Sequence, residues 1–201
     1  SGPEAFDYMC HLPVDAQNPT GEAKTALDFL RFTFADGRGF QGYRNHWVAE
    51  RNGKVLGVGA FYTGKDEGRL TLGFVQQAVT FYPFMTAVRV IYRALHLAPL
   101  LKPLYKNMLY VANLGVHPQA QSQGIGRALL NHHIAQAKVQ GLRSFGLDVA
   151  VTNPRAEVLY AGLGLKVTNT KFFKGDKNRN PQHGRVPVPD CKRMVLELSA
   201  A

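Results

Sequence analysis

Cysteine is scarce. Only Cys10 and Cys191 occur in 201 residues, at opposite ends and without a Cys-x-x-Cys spacing, which excludes a disulfide framework and a thiolate metal cage. No charged-then-apolar leader opens the sequence, so a reducing cytoplasm is the expected setting. Blocks of five or more like charges are missing too; the nearest, 171–179, is diluted by Phe, Gly, Asp and Asn, which argues against a solvated interaction tail. The stretch 70–88 carries no charge at all, yet Gln76, Gln77, three threonines, Gly73 and Pro83 interrupt it, and no membrane partner is expected. Internal repeats, low-complexity runs and Pro/Ser-rich linkers are absent, so one domain is expected over 1–201.

What is present is an ordinary globular composition, 45% hydrophobic and 19% charged, with a net charge of +10 from 24 basic and 14 acidic residues. A cationic surface favours polyanions: nucleic acid, anionic lipid or a phosphate-bearing cofactor. Charge alone does not choose among them.

Apolar periodicity predicts a helix over 25–34, ended by Asp36-Gly37. Residues 47–50 and 55–62 flank Asn52-Gly53, a strong hairpin signal. Residues 69–75 read as a third strand, and 76–107 as two or three helical pieces punctuated by Pro83, Pro99 and Pro103. Arg89, Arg93 and His96 stand at i, i+4 and i+7, the spacing of one solvated helix face. Met108 to Val116 is a nearly continuous apolar run suited to a strand buried on both sides. A helix then follows over 124–142, with Ile125, Ala128, Leu129, Ala135, Val139 and Leu142 on one side and His132 on the same stripe, read as a buried, hydrogen-bonded histidine. Strand 144–151, helix 154–162, strand 166–173 and strand 193–198 complete the order. The fold expected is α/β (α+β): a mixed, mostly antiparallel sheet with one parallel pair and helices on both faces.

The segment between the long strand and the following helix, "VHPQAQSQGIGRALL", places Gln121, Gln123, Gly124 and Gly126 where unpaired backbone N–H groups meet the positive end of a helix dipole. Such a place binds anions, phosphates above all. A P-loop would need Lys-Ser/Thr after Gly126, where Arg127-Ala128 stands; a dinucleotide fingerprint would need Gly or Ala where Leu129 stands. The pattern that matches is Q/R-x-x-G-x-G/A, met by Gln121, Gly124 and Gly126. With it the sequence resembles the GNAT-type N-acetyltransferase superfamily, whose members bind the pyrophosphate of acetyl-coenzyme A in such a turn. A second motif, "LDVAVTNPRAEVLYAGLGLK", is similar to that superfamily's fifth strand and next helix, with Asn153, Ala156, Leu159, Tyr160, Gly164 and Leu165 in the matching places.

The resemblance implies acetyl-CoA as co-substrate, no metal, and an amine acceptor on a small molecule or peptide. It implies that Leu114 and Val116 present backbone groups to the pantetheine, that Gln121, Gln123, Gly124, Ile125, Gly126 and Arg127 surround the pyrophosphate, and that Asn153 and Tyr160 contact the pantetheine and thiolate. Tyr160 is then the assisting general acid. Asn153 is equally suited to capping its helix, Tyr160 to packing on the sheet, and Arg127 and Arg155 to free solvation. The stretch Leu109-Tyr110-Val111 lacks the glutamate some relatives use as base; Glu50, Asp148, Glu157 and His117 are the alternatives, with Glu157 expected to face solvent and Asp148 to pair with a neighbouring base. Adjacent His132 and His133 point about 100° apart and cannot make an i, i+4 metal pair. Family members begin with a further strand and helix, which this sequence, opening "SGPEAFDYM", is expected to lack in part. A homodimer fits the family, and the helical insertion at 76–107 is expected to bear on acceptor recognition. Two rival readings remain: a non-catalytic CoA- or nucleic-acid-binding module on the same fold, and a nicotinamide oxidoreductase.

Overall fold

The computed structural model describes residues 26–97, 105–171 and 190–198. The expectations about the N-terminal strand, Cys10 and the basic stretch beyond Lys171 lie outside them.

Helix α1 (Ala26–Asp36) leads through a short 3-10 turn into strands β1 (His46–Arg51) and β2 (Lys54–Thr63). Asn52 and Gly53 link them with φ of +54° and +74°, the double left-handed turn that matches the twist of a two-residue hairpin. Helices α2 (Glu67–Phe81) and α3 (Phe84–Leu97) come next, then β3 (Met108–Val116), α4 (Ile125–Val139), β4 (Ser144–Ala150), α5 (Pro154–Ala161), β5 (Lys166–Lys171) and β6 (Cys191–Glu197). The six strands form one sheet in the order β1-β2-β3-β4-β6-β5. Only β3 and β4 are parallel; every other neighbouring pair is antiparallel.

Side-chain alternation along β3 divides the molecule into two layers. Leu109 and Val111 join Phe61, Leu130, Ile134, Phe145, Leu147, Tyr160 and Met194 beneath α4 and α5. Met108 and Tyr110 point to the other face, with Tyr62, Leu70 and Val195. Behind those, α1, α2 and α3 enclose a third cluster of Phe29, Phe74, Ala78, Tyr82, Ala87 and Val90.

Three expectations are corrected. Residues 69–75 are helix, not strand. Leu70, Gly73, Phe74, Gln77 and Ala78 are the buried positions, spaced i, i+3, i+4, i+7, i+8 as one helical face. Periodicity over a short apolar run cannot separate strand from helix; Asp66 ends β2, its carboxylate accepting the Thr63 N–H and hydroxyl at 3.1 and 2.8 Å, and the segment after it packs as a helix against α1 and the sheet. Gln77, read as an interruption, is buried and donates through Nε2 to Thr33 O and Asp36 Oδ2 at 3.2 and 2.7 Å. The helical insertion therefore starts at Glu67, and Pro83 splits it.

The buried stripe of α4 is rotated from the expected one. Ile125, Leu129, Leu130, His133, Ile134 and Ala137 face the sheet, while Ala128 and Ala135 are exposed and Val139 is 83% exposed. The helix carries two overlapping apolar stripes, and the sheet selects the one with more branched volume. His133, rather than His132, is thus the buried histidine. Last, the Arg89–Arg93–His96 set is not one solvated face: Arg93 is buried while Arg89 and His96 are exposed.

Candidate cofactor site

Strands β3 and β4 pair from Met108↔Ser144 to Val111↔Leu147 and then part. Beyond that point β3 continues along β2 alone, and Asp148 to Ala150 continue along β6 alone. The cause is in the β2–β3 register, which passes from Phe61↔Val111 to Ala60↔Asn113. Ala112 is an extra residue in β3, and such a bulge bends and twists the strand that carries it. A fork results, with backbone from Asn113 to Val116 on one side and from Asp148 to Ala150 on the other.

The turn at the end of β3 stands beside the fork. Ser122 and Gly124 both have left-handed backbones, φ +63° and +79°. Gly124 is the N-cap of α4 and no side chain caps that end, so the first N–H groups of the helix are available to an anion. A Cβ on Gly124 would meet nothing within 4 Å; the turn, not crowding, is what asks for glycine there. At Gly126 a Cβ would lie 3.6 Å from Leu159 and Val116 and 3.8 Å from Leu114. The structure thus brings together Leu114 and Val116 of β3, Gly126 of α4 and Leu159 of α5.

Polar side chains brace the turn. Gln121 Nε2 donates to Val116 O at 3.4 Å, and Gln123 Nε2 to Gln119 O at 2.9 Å. Arg155 donates to Ser122 Oγ at 2.6 Å and to Gln121 Oε1 at 3.4 Å, and Arg51 reaches Gln123 Oε1 at 3.5 Å. Two exposed guanidinium groups therefore flank the turn, Arg51 having escaped the sequence reading. Arg127 instead donates to Gly162 O at 3.1 Å, capping the carbonyl end of α5, where a cation is favoured. Ile125 is buried beneath β2, where it would contact a Cβ added to Gly57.

Asn153 caps α5, its side chain accepting the Ala156 N–H at 3.1 Å, and Pro154 follows as the first helical residue. Seven residues on, Tyr160 is buried in the core layer under α4 and α5, and burial pushes its phenol above the ordinary value.

On the opposite face, at the vertex of the fork, Asp148 pairs with basic residues as expected, in a cluster whose other members the sequence did not name. Tyr110 donates to Asp148 Oδ2 at 2.7 Å. Arg193 of β6 donates to both oxygens of Asp148, through Nε at 2.8 Å and through Nη2, and its guanidinium lies 5.6 Å from the Tyr110 ring centre. Lys171 Nζ is 3.6 Å from Asp148 Oδ1. Burial drives the Tyr110 phenol far up and pulls the Lys171 ammonium down, against the pull of Asp148.

The other candidate bases divide. Glu50 is exposed on β1. His117 is exposed, with Nδ1 accepting the Gln119 N–H at 3.4 Å. Glu157, expected to face solvent, is instead half-buried and accepts from Lys192 Nζ at 2.8 and 2.9 Å, because β6 runs close under α5. His133 stacks on Phe61 at 3.5 Å between centroids and meets Trp47 edge-on; burial, with neighbouring His132, pulls its imidazole down to about 4. Among the described residues no group of three His, Cys, Asp or Glu is placed to hold a metal, and no helix is long and apolar enough to cross a membrane.

The Acetyltransferase (GNAT) family model matches residues 17–165. The [ribosomal protein bS18]-alanine N-acetyltransferase of Escherichia coli (strain K12) is 42% identical over 53 residues, 26% of this chain and 36% of that protein. Its counterpart in Salmonella typhimurium is 38% identical over 53 residues, again 26% and 36%; the match spans about a third of these relatives' length. Among solved structures, an N-acetyltransferase from Staphylococcus aureus Mu50 superposes with a TM-score of 0.64 at 17% identity, covering 95% of this chain and 88% of that one. A second, described as an acetyltransferase, gives 0.58 at 21%, covering 98% and 94%. Both share the fold.

Proposed function

The chain belongs to the GNAT acetyltransferase family, and from that premise we propose that it is an acetyl-CoA-dependent N-acetyltransferase, one domain acting in the cytoplasm on a primary amine of a small molecule or peptide. The observation that carries this reading is the adjacency of a forked parallel strand pair, open beyond Val111 and Leu147, to an uncapped helix N-terminus behind a left-handed Gly124. Diphosphate suits the second feature, and an extended arm with amide groups suits the first.

In this reading the N–H groups from Gln123 to Arg127 receive the diphosphate of acetyl-CoA, with Ile125 buried as the anchor of that turn. Arg155 and Arg51 add positive charge, while Arg127 acts by fastening α4 to α5. Gln121 ties the turn to the end of β3. Leu114 and Val116 offer backbone hydrogen bonds to the pantetheine, and the spare amide of Asn153 contacts it from the cap of α5. The acceptor nitrogen attacks the thioester carbonyl carbon, the C–S bond breaks, and the thiolate leaves with a proton. Backbone N–H groups lining the fork would stabilise the developing oxyanion by about 3 kcal/mol per donor.

Tyr160 supplies the proton. A phenol at ~10 donating to a thiolate whose acid lies near ~8.5 costs roughly 2 kcal/mol in water. Burial raises the phenol, and a thiolate formed in the same enclosed place is raised with it. Asp148 is committed to Arg193, Lys171 and Tyr110, so the amine's own proton leaves through solvent at the mouth of the fork.

Isothermal titration with acetyl-CoA, followed by thiol release in the presence of an amine panel, tests the proposal. Binding with turnover supports it. Absence of heat at millimolar acetyl-CoA from folded protein overturns it, and binding without turnover on any amine leaves a CoA-binding module in its place.

A further inference from the structure

Leu109 and Val111 face α4, and plain alternation along β3 would turn Asn113 the same way. The extra residue at Ala112 reverses it. Asn113 stands opposite Ala60, two residues from Tyr62 and so on its face of the sheet, while Leu114 returns to the side of α4. Bulges re-aim side chains in this way. The bulge that opens the fork therefore sends a polar side chain to the face opposite the glycine turn, just beyond the vertex.

There it meets Gln41, 72 positions earlier, to whose Oε1 Asn113 Nδ2 donates at 3.0 Å. Both residues are half-buried. The loop that carries Gln41, between α1 and the 3-10 turn, is fixed on either side of it. Buried Asn45 donates through Nδ2 to Gly39 O at 2.9 Å and to Phe40 O at 3.4 Å. The Gly42 N–H donates to Gly39 O at 3.0 Å, and His46 Nδ1 lies 2.9 Å from Gly42 O. Phe40 packs edge-on against Tyr62 with ring centres 5.5 Å apart. Such a loop holds Gln41 in place before anything binds, as a specific contact requires.

The geometry points to the Gln41–Asn113 pair as the element that reads the acceptor, and to a peptide-like acceptor with a carboxamide one carbon from its amine. The inference rests on the acetyl-transfer reading above, in which the amine attacks at the fork. The bond between the two side chains uses one N–H of Asn113 and the oxygen of Gln41; Asn113 Oδ1 and Gln41 Nε2 make no other side-chain hydrogen bond among the described residues. One acceptor and one donor thus remain, the complement of the N–H and C=O of a peptide group. A second ammonium only donates and a carboxylate only accepts, so either leaves one member of the pair unmatched. Because the pair stands just beyond the vertex, the group it reads lies close to the attacking nitrogen. A site that hydrogen-bonds a substrate group discriminates against the analogue lacking it.

Two amines of matched shape test it: L-alaninamide and its isostere with an isopropyl group in place of the carboxamide. Steady-state acetylation of each is measured for the wild type, Gln41→Met and Asn113→Leu. The quantity read is the ratio of the two kcat/KM values, compared between proteins so that the different basicities of the amines cancel. Each variant is expected to lower that ratio about tenfold, as for one lost hydrogen bond, chiefly through KM for alaninamide. Thermal melting and acetyl-CoA titration check fold and cofactor binding. An unchanged ratio in both folded variants overturns the inference, and so does an equal fall for both amines, which would make the pair a structural tie; turnover in either case leaves acetyl transfer standing. A wild type that binds acetyl-CoA but does not turn over alaninamide overturns it as well, and no heat from acetyl-CoA overturns the transfer reading with it.

Discussion

The phenol of Tyr110 donates a 2.7 Å hydrogen bond to the carboxylate of Asp148, across the boundary between two parallel strands at the last step before they separate. On one side of the sheet this contact, with Arg193, closes the vertex of the fork; on the other, Val111 and Leu147 close it with apolar contact. The fork thus starts at a braced point.

Tyr110→Phe keeps the ring and removes the donor. A buried hydrogen bond to a charged group contributes about 1.5–3 kcal/mol, and a loss of about 2 kcal/mol is expected in urea denaturation. Asp148→Asn should cost more, about 3–5 kcal/mol, because it removes the charge that Arg193 and Lys171 both approach in a buried place. Equal stability of wild type and Asp148→Asn would show that the cluster is not coupled as its geometry implies.

Tyr160→Phe is expected to lower kcat roughly 10²-fold with the acetyl-CoA dissociation constant unchanged. The split between the two parameters separates proton donation from packing, since the phenylalanine ring fills the same core site. Undiminished turnover would remove Tyr160 from the chemistry.

The two glycines of the turn should respond differently. At Gly124 a side chain meets no neighbour but must adopt φ +79°, at a cost of about 1–2 kcal/mol; Gly124→Val is expected to weaken acetyl-CoA binding as the turn relaxes away from that conformation. At Gly126, inside α4, the nearest atoms to a new methyl are 3.6 Å away, and Gly126→Ala should leave stability unchanged or raise it by up to about 1 kcal/mol through helix propensity. Calorimetric titration and thermal melting of both variants check this contrast, and equal affinity losses would refute it.

His133 makes stability depend on pH. Its imidazole titrates near 6.5 when exposed and about 4 in the fold. Between those values the unfolded chain binds the proton and the native one does not, so stability falls as pH drops from about 6.5 through 4, by roughly 2 kcal/mol once partial solvent access is allowed for. His133→Leu should flatten that part of the curve, measured as urea midpoints at several pH values. An unchanged slope would show that other groups cause it.

What the sequence determined by itself is whatever is encoded within a few residues. Asn52-Gly53 sets the hairpin because only a left-handed pair joins twisted strands so tightly. Gly124 and Gly126 after an apolar run mark a strand–turn–helix, and Asn153-Pro154 marks the start of α5, since capping and fixed φ are local properties. The tertiary structure decided the rest. Whether 69–75 became helix depended on α1 and the sheet offering a surface to Leu70, Phe74 and Gln77. Which stripe of α4 was buried depended on Phe61 and Trp47 lying opposite His133. Asp148 meets Tyr110 and Arg193, 38 and 45 positions away, and burial of a charge is tolerable only where such partners converge. No periodicity in a single segment carries that information, because the free energy of a buried group is set by neighbours that chain folding alone brings to it.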